Sequence, residues 1–140
     1  MIFLHVQSTF KARASEWVLA SILSSIGLML LRPDDIFGQS SVYIGLAQIA
    51  SQHTWGWFCL VGGAIRLVAL TINGYWIPSS YHLRALTAFL GCLFWFQFAL
   101  GLFVSDRPTI ILVTVPWLFL MDLINCHRAA VDANIGRERH

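Results

Sequence analysis

Four ionisable side chains, Glu16, Arg66, Arg84 and Asp122, stand inside or at the edge of long apolar runs. The clearest case is Arg66, near the middle of FCLVGGAIRLVALTIN, residues 58–73, which are otherwise almost all apolar or small. An unpaired arginine at the centre of a membrane costs about 2.5 to 3.5 kcal/mol. Such charges either hold helices in register or form part of a path for protons or ions, and the residues leave both interpretations open.

The depth of each charge along its helix predicts which charges meet. Arg66 follows Trp55 by 11 residues, or about 16 Å, and Asp122 lies 13 residues into the last apolar run, or about 20 Å. The difference is within reach of an arginine side chain. Glu16 and Arg84 approach the same layer from the opposite rim. We therefore predict one inward-facing intramembrane cluster of Glu16, Arg66, Arg84 and Asp122.

Small and polar residues recur at helical spacing along the same runs. Small residues allow membrane helices to approach closely, and polar side chains bridge them. We predict that five such residues pack between helices: Ser24, Gly63, Asn73, Gln97 and Asn125. Gln97 lies within the aromatic run FWFQF and is expected to need a partner on a neighbouring helix.

No constellation of catalytic or metal-binding residues is evident. The sequence has no H-E-x-x-H, P-loop, G-x-S-x-G or dinucleotide-binding pattern. Cys126 beside His127 could begin a metal site, but a tetrahedral site needs further ligands, and His82 is the only plausible addition. Cys59 and Cys92 lie in apolar runs and predict no disulfide. We expect no enzyme activity, no cofactor and no metal.

The composition indicates the elements that position these residues. Of the 140 residues, 57% are hydrophobic and 11% charged, against roughly 25% charged in soluble proteins. The formal charge of +2 is small and dispersed, which gives no support to nucleic-acid binding. A bilayer core about 30 Å thick requires about 20 apolar residues per helix. We predict an all-α polytopic membrane protein, a four-helix transmembrane bundle with spans at about 16–31, 55–73, 81–104 and 109–126.

Three further segments complete the predicted organisation. Residues 1–15 are a cytoplasmic N-terminal segment, and residues 127–140 are a charged cytoplasmic tail. The apolar residues of about 41–51 share one helical face but are too few to cross a bilayer. They predict a short interfacial helix between the first two spans, with a loop packed over the bundle as the alternative.

The distribution of basic residues predicts the orientation. Four spans place both termini on one side, and that side collects six cations, which lie in its segments or at the membrane rim: Lys11, Arg13, Arg84, Arg128, Arg137 and Arg139. The opposite side holds Arg32 and Arg107 together with three aspartates. The positive-inside rule then places both termini in the cytoplasm.

Four stretches of the chain resemble a family of small four-span membrane proteins encoded by tailed bacteriophages and prophages: WVLASILSSIGLMLL, WGWFCLVGGAIRLVALTINGYW, LRALTAFLGCLFWFQFALG and DLINCHRAAVDA. The resemblance covers about residues 17–133 and rests on packing and charge motifs. It implies a phage origin and a location in the host inner membrane or the virion, and it transfers no catalytic residues.

Two classes of function follow as hypotheses. The first is a membrane-permeabilising or channel-forming homo-oligomer of the holin kind. The second is a virion or ejection-apparatus membrane component, or a superinfection-exclusion factor, that contacts other phage or host envelope proteins. The lipid bilayer is a partner in either case.

Overall fold

The fold was analysed in a computed structural model that describes residues 13–72, 80–105 and 109–138. Every regular element in these ranges is helical, and the ranges contain no strand, so the predicted all-α class is confirmed. We number the α-helices in chain order: α1 (Ala14–Leu30), α2 (Ile36–Gln39), α3 (Ile44–Ile49), α4 (Gln52–Ile72), α5 (Ser80–Phe103) and α6 (Ile110–Glu138). A single 3₁₀ turn, Ser41–Tyr43, precedes α3.

Three of these helices contain segments long and apolar enough to cross a membrane: Gln52–Ile72, His82–Phe103 and Ile110–Val131. The first helix is also apolar but has only 17 residues, or about 25 Å of helix. Three long apolar helices and one shorter one therefore carry the fold.

The last helix continues well beyond the apolar run that predicted it. The predicted span ends near residue 126, and α6 continues without interruption to Glu138, so the first part of the predicted tail is helical. The apolar run marks where a helix would leave hydrocarbon, and the following residues, HRAAVDAN, are compatible with continued helix in water. Pro116 lies inside the N-terminal part of α6.

The four larger helices pack as a ring. Helix α1 packs along α4, and α5 packs along α6; α4 also meets α5, and α6 also meets α1. The pairs α1 with α5 and α4 with α6 are diagonal and share no extended contact among the described residues. The ring therefore consists of two helical pairs, α1 with α4 and α5 with α6, placed side by side.

Glycines bring α1 and α4 into backbone contact. A Cβ atom on Gly63 would lie 2.8 Å from the Ser24 backbone nitrogen and 3.0 Å from the Ala20 carbonyl oxygen. A Cβ atom on Gly27 would lie 2.7 Å from the Cα of Leu60. Real Cβ atoms do not approach so closely, so these two helices adopt this separation because both positions lack a side chain.

The segment between α1 and α4 folds over one end of the ring. Val42 and Leu46 are buried, whereas Ile49 is 56% exposed, so the predicted apolar face of this segment is only partly turned inward. Gly45 lies directly against the backbone of Gly101 in α5. The segment is α-helical at 36–39, forms a 3₁₀ turn at 41–43 and is α-helical again at 44–49.

The interior is closely filled, and the exterior is largely apolar. Leu19, Phe94 and Trp95 are at most 2% exposed and occupy the centre. Large apolar side chains are exposed on α1, α4, α5 and α6, and Trp117 and Ile110 of α6 are 65% and 86% exposed. A water-soluble bundle places its apolar side chains inside and its charges outside. These helices have the opposite pattern.

Candidate functional site

Arg66 of α4 and Asp122 of α6 form a buried ion pair with two hydrogen bonds. The Arg66 Nη1 donates to Asp122 Oδ2 at 2.8 Å, and Arg66 Nη2 donates to Asp122 Oδ1. Arg66 is 2% exposed and Asp122 is fully buried. This fork-like geometry satisfies both carboxylate oxygens at once, and it is a strong form of charge pairing.

The space for this pair is created by α5, the helix between the two partners. A Cβ atom on Gly91 would lie 2.8 Å from Arg66 Nη1 and would overlap Asp122 Oδ2. Trp95, one turn further along α5, is 1% exposed, and its indole nitrogen lies beside Asp122 without meeting the geometry of a hydrogen bond. The absence of a side chain at Gly91 therefore leaves space for the ion pair, and the buried Trp95 packs beside it.

Arg84 of α5 and Glu16 of α1 form a second buried ion pair. The Arg84 Nε donates to Glu16 Oε2 at 3.1 Å, and Arg84 Nη2 donates to Glu16 Oε1 at 2.8 Å. Arg84 is 2% exposed and Glu16 is 5% exposed. Glu16 lies in the first turn of α1, where the unpaired backbone N–H groups of a helix favour a negative charge.

A hydrogen bond between uncharged side chains lies between the two ion pairs. Ser15, the neighbour of Glu16, donates from its hydroxyl to Asn125 Oδ1 at 2.8 Å. Asn125 is 1% exposed and lies one helical turn after Asp122. Its Nδ2 is buried and has no hydrogen-bond partner among the described residues. We call these six residues the polar layer: Ser15, Glu16, Arg66, Arg84, Asp122 and Asn125.

The four charges predicted to cluster thus lie in the interior as two separate ion pairs, bridged by Ser15 and Asn125. The positions of Arg84 and Gly91 on α5 separate the two pairs by about 10 Å along the helix axis. Every contact in the polar layer joins one helix of the α1 and α4 pair to one helix of the α5 and α6 pair.

The predicted packing residues have different surroundings. Gly63 packs against Ser24, whose hydroxyl donates to the Ala20 carbonyl at 2.9 Å within its own helix. Gln97 is exposed and takes part in none of the hydrogen bonds among the described residues. Asn73 lies outside the described residues.

Two polar side chains near the other end of the ring were not singled out by the sequence. Gln52 Oε1 accepts from the Phe37 backbone N–H at 3.1 Å, and its Nε2 donates to the carbonyls of Leu30 and Asp34 at 3.0 and 2.8 Å. Trp55 is 7% exposed and donates from its indole to the Leu46 carbonyl at 3.1 Å. In the sequence, Trp55 served only as the residue from which the depth of Arg66 was counted. The position of Gln52 at the start of α4, three residues before Trp55, is the sequence feature that could have pointed to these hydrogen bonds.

The geometry of the polar layer limits its chemistry. Both oxygens of Asp122 and both oxygens of Glu16 accept hydrogen bonds from a guanidinium group, so neither carboxylate offers a free oxygen in this conformation. In the described part of the chain, no group of three His, Cys, Asp or Glu side chains could hold a metal ion. In this conformation the four charges neutralise each other in two pairs.

An apolar cavity of about 210 Å³ lies at the seam between α4 and α5. Gly62 and Ile65 of α4 and Thr87 and Gly91 of α5 are among its lining residues. Because Gly91 also touches the Arg66 and Asp122 pair, the cavity ends close to the buried charges.

Comparisons with protein-family models, with curated proteins and with solved structures found no match to this chain.

Proposed function

We propose that this chain is a phage-encoded integral membrane protein that assembles in the inner membrane of the bacterial host and permeabilises it, in the manner of a holin. In this proposal α1, α4, α5 and α6 are four spans, the 41–49 segment is an interfacial helix, and both termini are cytoplasmic. The phage origin is taken from the resemblance described above.

The observation that carries the membrane assignment is the inverted distribution of side chains. Arg66, Arg84, Glu16 and Asp122 are at most 5% exposed, while aromatic and aliphatic side chains are exposed on all four larger helices. In water this surface would aggregate, because exposed apolar patches of this extent are sites of association. In lipid it is the expected surface, and buried charges pair with one another.

The first helix requires a local adjustment to cross the bilayer. Its 17 residues reach about 25 Å, which is a few ångströms short of an average hydrocarbon core. A bilayer thins around a short helix at a modest cost. Tight packing of α1 on α4 through Gly63 and Gly27 supports its placement as a span, since α4 has the length to cross.

The permeabilising role is proposed for an assembly of several copies. Leu19, Phe94 and Trp95 fill the centre of one bundle, so one copy has no room there for a conducting path. A path would have to form between copies, or between the two helical pairs after they separate. The polar layer supplies the charged side chains that could line such a path.

Inducible expression in a bacterial host, with a dye that reports membrane potential, tests the proposal. We expect an abrupt collapse of the potential at a reproducible time after induction. The Gly63→Leu variant, in which α1 is forced away from α4, should be expressed without collapsing the membrane potential. The Gly62→Ala variant should collapse the potential as the unchanged chain does.

Two results would contradict the permeabilising role in favour of the alternatives. Normal growth together with resistance to a second phage would indicate superinfection exclusion. Normal growth together with recovery of the chain in purified virions would indicate a virion or ejection component. A reporter enzyme fused to the C-terminus, active only in the periplasm, would overturn the proposed orientation.

A further inference from the structure

Gln97 is a polar side chain on an otherwise apolar outer surface. It is exposed on α5, six residues before the helix ends at Phe103, which places it about 9 Å inside that end. The exposed residues one turn to either side, Leu93 and Leu100, are both apolar and about 45% exposed. An amide at this position in a bilayer lacks the hydrogen bonds that water would supply.

An apolar groove of about 220 Å³ lies next to this amide. Its walls are Trp55 and Phe58 of α4, Leu93 and Phe94 of α5, and Ile49 at the end of α3. The indole N–H of Trp55 is already used by the Leu46 carbonyl, and the nearby Thr54 hydroxyl shares a hydrogen bond with Ser51 at 2.8 Å. Among the polar side chains that line the groove, the Gln97 amide thus has no hydrogen bond within the described residues.

We propose that this surface is where two copies of the chain meet, with Gln97 of one copy bonded to Gln97 of the other. The inference rests on the proposed function, because it requires that the chain span a bilayer.

The depth of Gln97 favours a second copy over other occupants. In the proposed orientation, which all copies would share, Gln97 lies at the same depth in each copy. A primary amide carries both a donor and an acceptor, and two amides related by a two-fold axis along the membrane normal satisfy each other. A lipid acyl chain could fill the groove, but it has no group that bonds to the amide.

The apolar side chains on either side of Gln97 are also suited to an interface between two copies. Leu93 and Leu100 lie on the face of α5 that carries Gln97, and in a symmetric pair they would face the groove of the partner. The amide pair would specify which surfaces meet, while the apolar side chains would supply the packed area.

Energy transfer between labelled copies in lipid vesicles tests the interface. The full chain, labelled with donor or acceptor at its C-terminus, is reconstituted in phosphatidylcholine and phosphatidylglycerol vesicles and diluted with lipid. We expect Gln97→Leu to weaken self-association about tenfold, the size expected for the loss of a membrane hydrogen-bond pair. Gln97→Asn, which keeps an amide, should retain part of the association.

Thr114→Val is the matched control. Thr114 is also polar and exposed, on α6, but its hydroxyl donates to the Ile110 carbonyl of its own helix at 3.1 Å. This variant should associate as the unchanged chain does. Helical content by circular dichroism should be equal in all variants.

Disulfide cross-linking provides a second readout. In a Cys126→Ala background, which leaves only the buried Cys59 and Cys92, Gln97→Cys should yield covalent dimers on oxidation, and Val113→Cys on α6 should not. Undiminished association of Gln97→Leu, or cross-linking equal at positions 97 and 113, would overturn the interface and would indicate a groove covered by lipid.

Leakage of vesicle contents, recorded in the same samples, separates this inference from the proposed function. Association that depends on Gln97 without leakage supports the interface and contradicts the permeabilising role. Leakage together with association that does not depend on Gln97 supports the permeabilising role and contradicts the interface.

Discussion

Arg66 and Asp122 form their ion pair across a diagonal of the helical ring, between α4 and α6, which share no other extended contact among the described residues. Glu16 and Arg84 join the other diagonal, between α1 and α5. Neighbouring helices in the ring contact each other mainly through side-chain packing, whereas diagonal helices are joined by ion pairs. The two crossed ion pairs therefore connect all four helices, and we expect them to specify the relative rotation of the helices more sharply than apolar packing alone.

Breaking the central pair on one side should be costly. Arg66→Met leaves the Asp122 carboxylate buried and unpaired, and we expect the free energy of unfolding to fall by about 3 to 5 kcal/mol. Changing both residues, as Arg66→Met with Asp122→Leu, should recover most of this loss, because no uncompensated charge remains. Unfolding titrations in mixed detergent micelles measure both effects.

Arg128→Met is the control for the central pair, since Arg128 is an exposed arginine on α6 and its loss should change little. A double variant as unstable as Arg66→Met alone would contradict the pairing argument. A double variant that assembles and still depolarises cells would assign the pair to helix positioning, whereas one that assembles and is silent would assign it to conduction.

The Arg84 and Glu16 pair should be less sensitive than the central pair. Arg84→Met leaves Glu16 in the first turn of α1, where the backbone N–H groups of the helix N-terminus can stabilise its charge. We expect a loss of about 1.5 to 3 kcal/mol in the same titrations, the usual size for a hydrogen bond to a charged group. A loss equal to or larger than that of Arg66→Met would show that this end of α1 is as dry as the centre.

Substitution by alanine should affect the stability of the protein differently at two adjacent glycines, Gly62 and Gly63. Gly63→Ala inserts a methyl group between α4 and the backbone of α1, and we expect a loss of about 1 to 3 kcal/mol from overpacking. A Cβ atom on Gly62 has only Leu23 nearby, at 3.9 Å. Gly62→Ala should therefore be neutral, or stabilising by up to about 1 kcal/mol through helix propensity. Thermal unfolding of both variants checks the contrast, and equal effects would refute it.

Gln52 should control the stability of the segment between α1 and α4. Gln52→Leu removes three hydrogen bonds and leaves the Phe37 N–H and the Leu30 carbonyl without this partner. Each buried group left unpaired costs about 1 to 3 kcal/mol. We expect faster hydrogen exchange across residues 36–49, measured by mass spectrometry.

Gln48→Leu is the matched control for Gln52, because Gln48 is exposed on α3 and carries the same chemical change. Similar exchange in the two variants would mean that the segment is held without Gln52, by the burial of Val42 and Leu46 and by the Trp55 hydrogen bond to the Leu46 carbonyl.

The sequence predicted depth well and rotation poorly. The rise of an α-helix is constant, so counting residues from Trp55 and from the start of the last apolar run was enough to place Arg66 and Asp122 at compatible depths. Which helices are neighbours and which are diagonal depends on packing over the whole ring. For that reason the sequence suggested one cluster, whereas the structure has two ion pairs on crossed diagonals.

The same distinction explains the polar residues outside the ion pairs. Whether Gln97 faces a neighbouring helix depends on the rotation of α5, and in the structure that rotation turns Gly91 and Trp95 inward and Gln97 outward. Gln52 was overlooked because its three partners come from the end of α1, the turn after it and the start of α2, where the path of the chain follows no periodic pattern.

The division of charges between the two helical pairs bears on biogenesis. Each pair carries one acid and one arginine, and each of these four residues has its partner in the other pair. During synthesis α1 and α4 leave the ribosome first, so Glu16 and Arg66 must wait for their counterparts until the second half of the polypeptide has been translated. A nascent protein truncated after α4 would retain two uncompensated charges at the translocon, which makes such fragments poorly retained in lipid and ready substrates for quality-control proteases.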